Sequence, residues 1–149
     1  MKISTKGRYA LRVMADLARQ NPDTYVSLAA IAARQDISLK YLEAIVAKLH
    51  QAGFVTSQRG KNGGYRLARP AAAYTAGAVL KLVEGNLAPV ACVEDDAVTC
   101  ARSGQCDTLP LWLELDRLID RYLESVTLAD LLDWPPQEGE TAISRQPDR

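Results

Sequence analysis

The sequence predicts a mostly α-helical chain with one small β-hairpin, and three observations carry that expectation. Apolar residues recur at helical spacing in residues 5–19, 28–35, 39–53, 76–85 and 108–133. One pair of alternating segments, "FVTSQ" and "YRLAR", flanks the glycine-rich "RGKNGG". Short polar clusters such as "NPDT" and "QDI" separate the first three helical stretches.

In the first helix Tyr9, Val13 and Leu17 lie along one side, with Ala10, Met14 and Ala18 beside them. Ser27 is placed to cap a second helix, "LAAIAARQ", that would bury Leu28, Ile31 and Ala32. Ser38 is placed to cap a third, "LKYLEAIVAKLHQAG", in which Leu42, Ile45, Val46 and Leu49 share a face. Lys40, Tyr41, Ala44, Ala47 and Lys48 fall on the other side, and Gly53 suits a left-handed helix end. The hairpin follows, with Val55, Tyr65 and Leu67 facing inward. Gly60, Gly63 and Gly64 supply the positive φ of a tight loop. Arg59 and Lys61 make its tip basic, with Arg66 on a strand; a solvated turn is the plain alternative. Two short helices joined by a tight turn and followed by a basic hairpin describe a winged helix-turn-helix. Small Ala44 and Ala47 let the third helix approach a groove wall, while Lys40, Lys48 and Tyr41 reach phosphates or base edges.

Charge supports that reading. Residues 1–70 hold twelve Lys and Arg against four Asp and Glu, a net +8, and the remaining residues balance it with −8. Such polarity implies a basic end that meets a polyanion, although the two halves could also simply attract each other. The composition, 48% apolar and 24% charged in 149 residues, is that of one globular domain with an appended element. The longest apolar run is "LAAIAA", and the N-terminus lacks the continuous apolar core of a signal peptide, so the expected location is cytoplasmic with no membrane partner. One histidine, no P-loop and no dinucleotide fingerprint give catalysis no support.

In the acidic half, Thr75 is placed to cap "AGAVLKLVEG", whose Val79, Leu82 and Val83 can close the core. "TLPLWLELDRLIDRYLES" starts with Thr108 as a candidate cap and an early proline. Leu111, Trp112, Leu115, Leu118, Ile119, Tyr122 and Leu123 form its apolar stripe, with Leu113 outside it. Thr127 is placed to cap the short "LADLLD", and the last residues carry little apolar content. Between these helices lie all three cysteines, Cys92, Cys100 and Cys106, spaced C-x7-C-x5-C. An odd number of thiols argues against a disulfide framework, and thiolates suit iron–sulfur clusters or zinc. The paired spacing of structural zinc sites is absent. The neighbouring "EDD" is expected to raise thiol pKa values by like-charge repulsion, which disfavours a simple reactive-thiol sensor.

"STKGRYALRVMADLA", "ISLKYLEAIVAKLHQAGFVTSQRGKNGGYRLARP" and the cysteine cluster resemble the Rrf-two superfamily of bacterial winged-helix regulators, and most closely its IscR-like iron–sulfur members. The resemblance covers residues 1–132 and implies a third helix in the major groove and a wing in the minor groove. Carried over by position, Ser38, Lys40, Tyr41, Glu43, Arg59, Gly60 and Lys61 would lie at or near double-stranded DNA. Glu43 would discriminate between sites, its carboxylate repelling phosphate and accepting from a cytosine amino group; an ordinary helix-edge residue is the alternative. The resemblance also implies a homodimer joined through the long C-terminal helix, reading a pseudo-palindrome.

Cys92, Cys100 and Cys106 match the three cysteines that hold a cluster in IscR-like and NsrR-type proteins, so the resemblance implies a 2Fe–2S or 4Fe–4S cluster. The first gap is longer than in typical IscR proteins. The fourth ligand matches neither pattern: Leu109 stands where IscR-like proteins have histidine, and Arg8 where NsrR-type proteins have aspartate. Asp107, a carboxylate of "EDD", a small exchangeable thiol or no residue remain open as fourth ligand, and His50 reads as a surface or DNA-facing residue. The rivals are a regulator without a cluster, sensing thiols or cysteine metabolism as CymR-like relatives do, and a protein-interaction module that does not bind DNA. The expected organisation is a winged helix-turn-helix domain at 1–84 and a cysteine loop at 85–107. A dimerisation helix with a short terminal helix follows at 108–133, then a disordered tail at 134–149.

Overall fold

The computed structural model describes residues 2–96 and 100–135. Six α-helices and one two-stranded antiparallel sheet follow in the order α1 (Thr5–Arg19), α2 (Leu28–Gln35), α3 (Leu39–Gln51), β1 (Val55–Gln58), β2 (Gly64–Leu67), α4 (Ala76–Glu84), α5 (Leu109–Ser125) and α6 (Leu128–Asp133). Five of the helices start on a side-chain cap. The hydroxyls of Ser4, Ser27, Ser38, Thr75 and Thr127 accept from the backbone N–H of Gly7, Ala30, Tyr41, Ala78 and Asp130. Each cap satisfies one of the donors that a helix start leaves without an internal partner. At Thr127 the Asp130 carboxylate also accepts from the Thr127 backbone N–H, completing a capping box. Thr108 departs from the expectation. Its side chain caps nothing at the start of α5; its hydroxyl meets the Cys106 thiol instead.

The core gathers around α1. Ala10, Val13 and Met14 are fully buried, packed with Ile31 of α2, Leu42, Ile45 and Leu49 of α3, Val79 of α4 and Leu128 of α6. In α2 only Ile31 is fully buried; Leu28 and Ala32 are half-buried because the helix lies at the rim of the cluster. α3 ends in a Schellman turn: the Phe54 N–H donates to Leu49 O and the Gly53 N–H to His50 O, with Gly53 at φ +74°.

That turn leads directly into β1, which pairs with β2 in the register Val55↔Leu67, Thr56↔Arg66, Ser57↔Tyr65 and Gln58↔Gly64. A two-stranded hairpin is marginal alone. This one is fixed to the body by a pair of 2.8 Å hydrogen bonds between Val26 and Tyr65 and by the buried Val55. Gly60 and Gly64 carry the expected positive φ; Gly63 does not. Gly63 is needed for space, since a Cβ there would stand 2.2 Å from Gln58 O.

α4 closes the core and α5 packs along it. Lys81 of α4 pairs with Asp120 and, at 2.8 Å, with Glu124 of α5, and the Thr75 hydroxyl donates to Glu124 at 2.7 Å. These contacts push Lys81 up through its hydrogen bonds to Asp120 and Glu124, and hold Glu124 down through Lys81 and Thr75. After α5 the chain returns to the core: Ala76 N–H donates to Val126 O and Leu128 N–H to Tyr74 O. Among its described residues, the segment expected as a cysteine-containing loop has two 3-10 turns, Ala91–Asp96 and Ser103–Gln105. The expected tail lies outside the described residues from 136 onward.

Candidate nucleic-acid interface and cysteine loop

The apolar spacing of α3 divides its surface as the sequence implied. Leu42, Ile45, Val46 and Leu49 are buried, which leaves Lys40, Tyr41, Glu43, Ala44, Ala47 and Lys48 exposed. Ser38 stands at the exposed N-terminus of this helix, its oxygen engaged as the cap. Arg59, Gly60 and Lys61 are exposed at the tip of the hairpin, with Gly60 at φ +105°. The seven residues expected at DNA, Ser38, Lys40, Tyr41, Glu43, Arg59, Gly60 and Lys61, therefore form two groups, one on the first turns of α3 and one on the tip.

Contacts from α1 hold α2 and the first turns of α3 in place. Tyr9 of α1 meets Tyr41 edge to face, with ring centroids 5.7 Å apart, and the Arg12 guanidinium lies 5.1 Å over Tyr9. Arg12 also donates to the side chain and backbone carbonyl of Gln35, at the end of α2. Asp16 is 4% exposed and accepts from Arg34 and Gln35, which joins α1 to α2. Polar and aromatic contacts thus tie both α2 and α3 to α1, in addition to the core. Periodicity alone could not reveal them, because each partner is exposed or polar in its own helix.

Arg66 takes a different role from the one its place on a basic hairpin implied. Its guanidinium lies 4.5 Å over the Tyr25 ring and donates to Pro22 O, so it packs on the body. His50 is exposed at the end of α3. Its Nε2 is 3.1 Å from the Ser57 hydroxyl and its ring meets Tyr65 edge-on at 6.1 Å.

All three cysteines are free thiols; Cys100 is exposed, and Cys92 and Cys106 are half-buried. At Cys106 the thiol answers to its own neighbours rather than to "EDD". Hydrogen bonds from the Thr108 hydroxyl and backbone N–H, aided by the Leu109 N–H, hold this thiol below its ordinary value despite Asp107. The start of α5 supplies those donors. Among the described residues no three His, Cys, Asp or Glu side chains come together in a metal-holding group. As a donor set the thiols suit an iron–sulfur cluster; in position, they do not form a ready cage for one.

α5 turns part of its apolar stripe outward, while Trp112, Ile119 and Leu123 of that stripe are half-buried. Leu111, Leu115, Leu118 and Tyr122 are 59%, 37%, 51% and 58% exposed, and no residue of this helix is fully buried. The polar side, with Asp120 and Glu124, is the one clasped to α4. Leu113, outside the main stripe, is half-buried.

A profile described as Rrf2, iron-dependent transcriptional regulator, matches residues 3–134. The chain belongs to the Rrf2 family. It is 38% identical to the HTH-type transcriptional regulator IscR of Yersinia pseudotuberculosis, over 89% of this chain and 80% of that protein. The solved structure of CymR, the global cysteine regulator of B. subtilis, superposes with a TM-score of 0.74 at 38% identity, covering 91% of this chain and 99% of CymR. The IscR of T. potens superposes with a TM-score of 0.72 at 37% identity, covering 89% and 87%. The winged-helix architecture and the C-terminal helix are those of Rrf2 regulators. Like these relatives, the chain is a transcriptional regulator, which implies DNA binding. Among the described residues no helix is long and apolar enough to cross a membrane.

Proposed function

We propose that this Rrf2 regulator works as a homodimer in which two α3 helices enter successive major grooves of a pseudo-palindromic duplex while the hairpin tips grip the flanking backbone. The observation that carries the reading is the exposed face of α3, Lys40, Tyr41, Glu43, Ala44, Ala47 and Lys48, followed by the basic tip at Arg59, Gly60 and Lys61. Ser38, at the helix start, completes the set. Lys40, Lys61 and Arg59 contribute counterion release, which is independent of sequence. Tyr41 and Glu43 are the residues for base discrimination; a carboxylate at Glu43 favours a cytosine amino group and disfavours phosphate.

The dimer reading is supported by the outward stripe of α5. Leu111, Leu115, Leu118 and Tyr122 follow the four-three-four spacing of a helix-pairing seam, and the opposite side is already occupied by α4. Two-fold pairing through α5 would set the distance between the two α3 helices, about 34 Å for one turn of DNA.

Cys92, Cys100 and Cys106 are proposed as the sensing element, taking an iron–sulfur cluster whose fourth ligand and type are open. The thiols fit the group by chemistry, and cluster binding requires the 85–107 segment to gather them. A difference in DNA affinity between the gathered and ungathered loop is what would make the element a switch. One observation favours a second reading, a thiol sensor without a cluster: the lowered pKa of Cys106, in a chain that superposes closely on CymR. Anaerobic purification followed by iron and sulfide analysis and absorbance between about 300 and 500 nm separates the two, since thiolates alone give no visible bands. Colour lost in Cys100→Ala supports the cluster. Colourless protein whose DNA affinity follows Cys106 oxidation supports the second reading.

A further inference from the structure

We propose that His50 is a positioning residue, which fixes the angle between the reading helix and the wing so that both reach DNA together. The inference rests on the reading of α3 and the hairpin as the DNA-contacting elements, and goes beyond it by naming what couples them.

The geometry is specific. His50 lies on the last turn of α3, two residues after Lys48. Its backbone carbonyl accepts the Gly53 N–H in the turn that leads into β1. Its side chain leaves the helix on the exposed side and meets two residues of the hairpin at once: Nε2 is 3.1 Å from Ser57 Oγ, and its ring stands perpendicular to the Tyr65 ring with centroids 6.1 Å apart. Ser57 and Tyr65 are a directly paired couple across the two strands. Only one further pair, Gln58↔Gly64, separates them from the exposed Arg59–Lys61 tip. The Val26–Tyr65 hydrogen bonds anchor the same rung to the body from another side. His50 thus braces the hairpin one pair from its free end, where a restraint on the strands directly limits how far the tip can swing.

The chemistry suits a brace. An imidazole offers one ring nitrogen to the Ser57 hydroxyl in either tautomer, and its flat ring can pair edge to face with a tyrosine. A flexible lysine or arginine here would carry charge to DNA but would leave the hairpin angle free. With the brace, binding of α3 in one groove presents Arg59 and Lys61 at a defined distance, and less freedom is lost when the tip engages.

The test is a double-mutant cycle on the full chain, read as affinity for a duplex that the wild-type protein isolates from a random-sequence pool, with hydroxyl-radical footprinting of each complex. His50→Ala and Ser57→Ala are each expected to weaken binding about fivefold, and the double variant to be no weaker than His50→Ala within about twofold. His50→Gln, which keeps a group able to hydrogen-bond Ser57, is expected to recover most of the loss. The footprint should fade where the tip reaches the backbone and persist where α3 lies. Independent losses that multiply in the double variant overturn the proposal. So does a His50→Gln variant as weak as His50→Ala, or uniform fading of the whole footprint. Should His50→Ala not fold, Ser57→Ala and His50→Gln still decide it through the footprint. A wild-type protein that isolates no duplex removes the DNA reading itself, a result distinct from a bound duplex without coupling.

Discussion

Asp16 on α1 takes two hydrogen bonds from the Arg34 guanidinium on α2, at 3.0 and 2.6 Å, with Gln35 adding a third at 2.9 Å. The two partners are unequal: the Arg34 side chain is 40% exposed, whereas Asp16 is 4% exposed. Water can solvate an abandoned Arg34 and cannot reach an abandoned Asp16. Arg34→Met is therefore expected to destabilise more than Asp16→Asn, by about 3 against about 2 kcal/mol in urea unfolding.

The same pair gives a pH signature. Burial by itself raises the Asp16 carboxyl, but the hydrogen bonds from Arg34 and Gln35 and the charges of Arg34 and Arg19 outweigh it and hold the group below the usual carboxylate range. A carboxylate held lower in the folded than in the unfolded chain adds stability above the ordinary carboxylate pKa. That stability is lost as pH falls through the lowered folded value. Wild-type and Asp16→Asn stabilities, measured from pH 7 downward, are expected to converge at acid pH. A constant gap would show that ionisation of Asp16 is not what stabilises the helix pair.

Gly64 and Gly53 separate two kinds of glycine requirement. Both have positive φ, +148° and +74°. A Cβ at Gly53 meets nothing within 4 Å, so Gly53→Ala carries only the backbone strain, about 1 kcal/mol. A Cβ at Gly64 would lie 2.1 Å from Val26 O and break the bridge that anchors the wing. Gly64→Ala is expected to cost more than about 2 kcal/mol and to expose the Tyr65 amide to hydrogen exchange. Equal melting temperatures for the two variants would count against the anchoring role of that bridge.

Cys106 owes its lowered pKa first to the Thr108 hydroxyl. Thr108→Val removes that donor and is expected to move the pH profile of Cys106 alkylation upward, followed by mass spectrometry of the peptide containing it. An unchanged profile would place the cause elsewhere at the start of α5.

How legible the molecule was in its sequence depended on the range of the interaction. The caps at Ser27, Ser38, Thr75 and Thr127 are local, three residues from the donors they satisfy, and each was readable. The buried face of α3 was equally readable, because Leu42, Ile45, Val46 and Leu49 repeat at helical spacing. Thr108 misled for a physical reason: the same hydroxyl can serve a helix start or a neighbouring thiol, and here Cys106 takes it. The contacts Asp16–Arg34, Tyr9–Tyr41 and His50–Ser57 join residues in different elements. Nothing in a linear pattern pairs them, so the residues that position the candidate interface emerged only from the fold. The candidate interface itself was legible because exposed basic residues cluster in one half of the chain, while the cysteines were legible in kind but not in arrangement.

The outward stripe of α5 makes a direct claim about assembly. Leu115→Glu and Leu118→Glu leave the core of the single chain untouched, since both side chains are exposed there. In sedimentation equilibrium each is expected to convert a dimer into a folded monomer, with DNA affinity falling at least about tenfold as the second half-site is lost. A dimer that survives both changes would exclude α5 as the pairing surface.

The most direct measurement is fluorescence anisotropy of the full chain on a duplex it selects, repeated across a salt series for wild type and Lys40→Ala. The account expects log affinity to fall linearly with log salt, and Lys40→Ala to bind more weakly with a slope smaller by about one. Affinity that ignores salt, or a Lys40→Ala variant indistinguishable from wild type at every salt concentration, would contradict the placement of α3 on DNA.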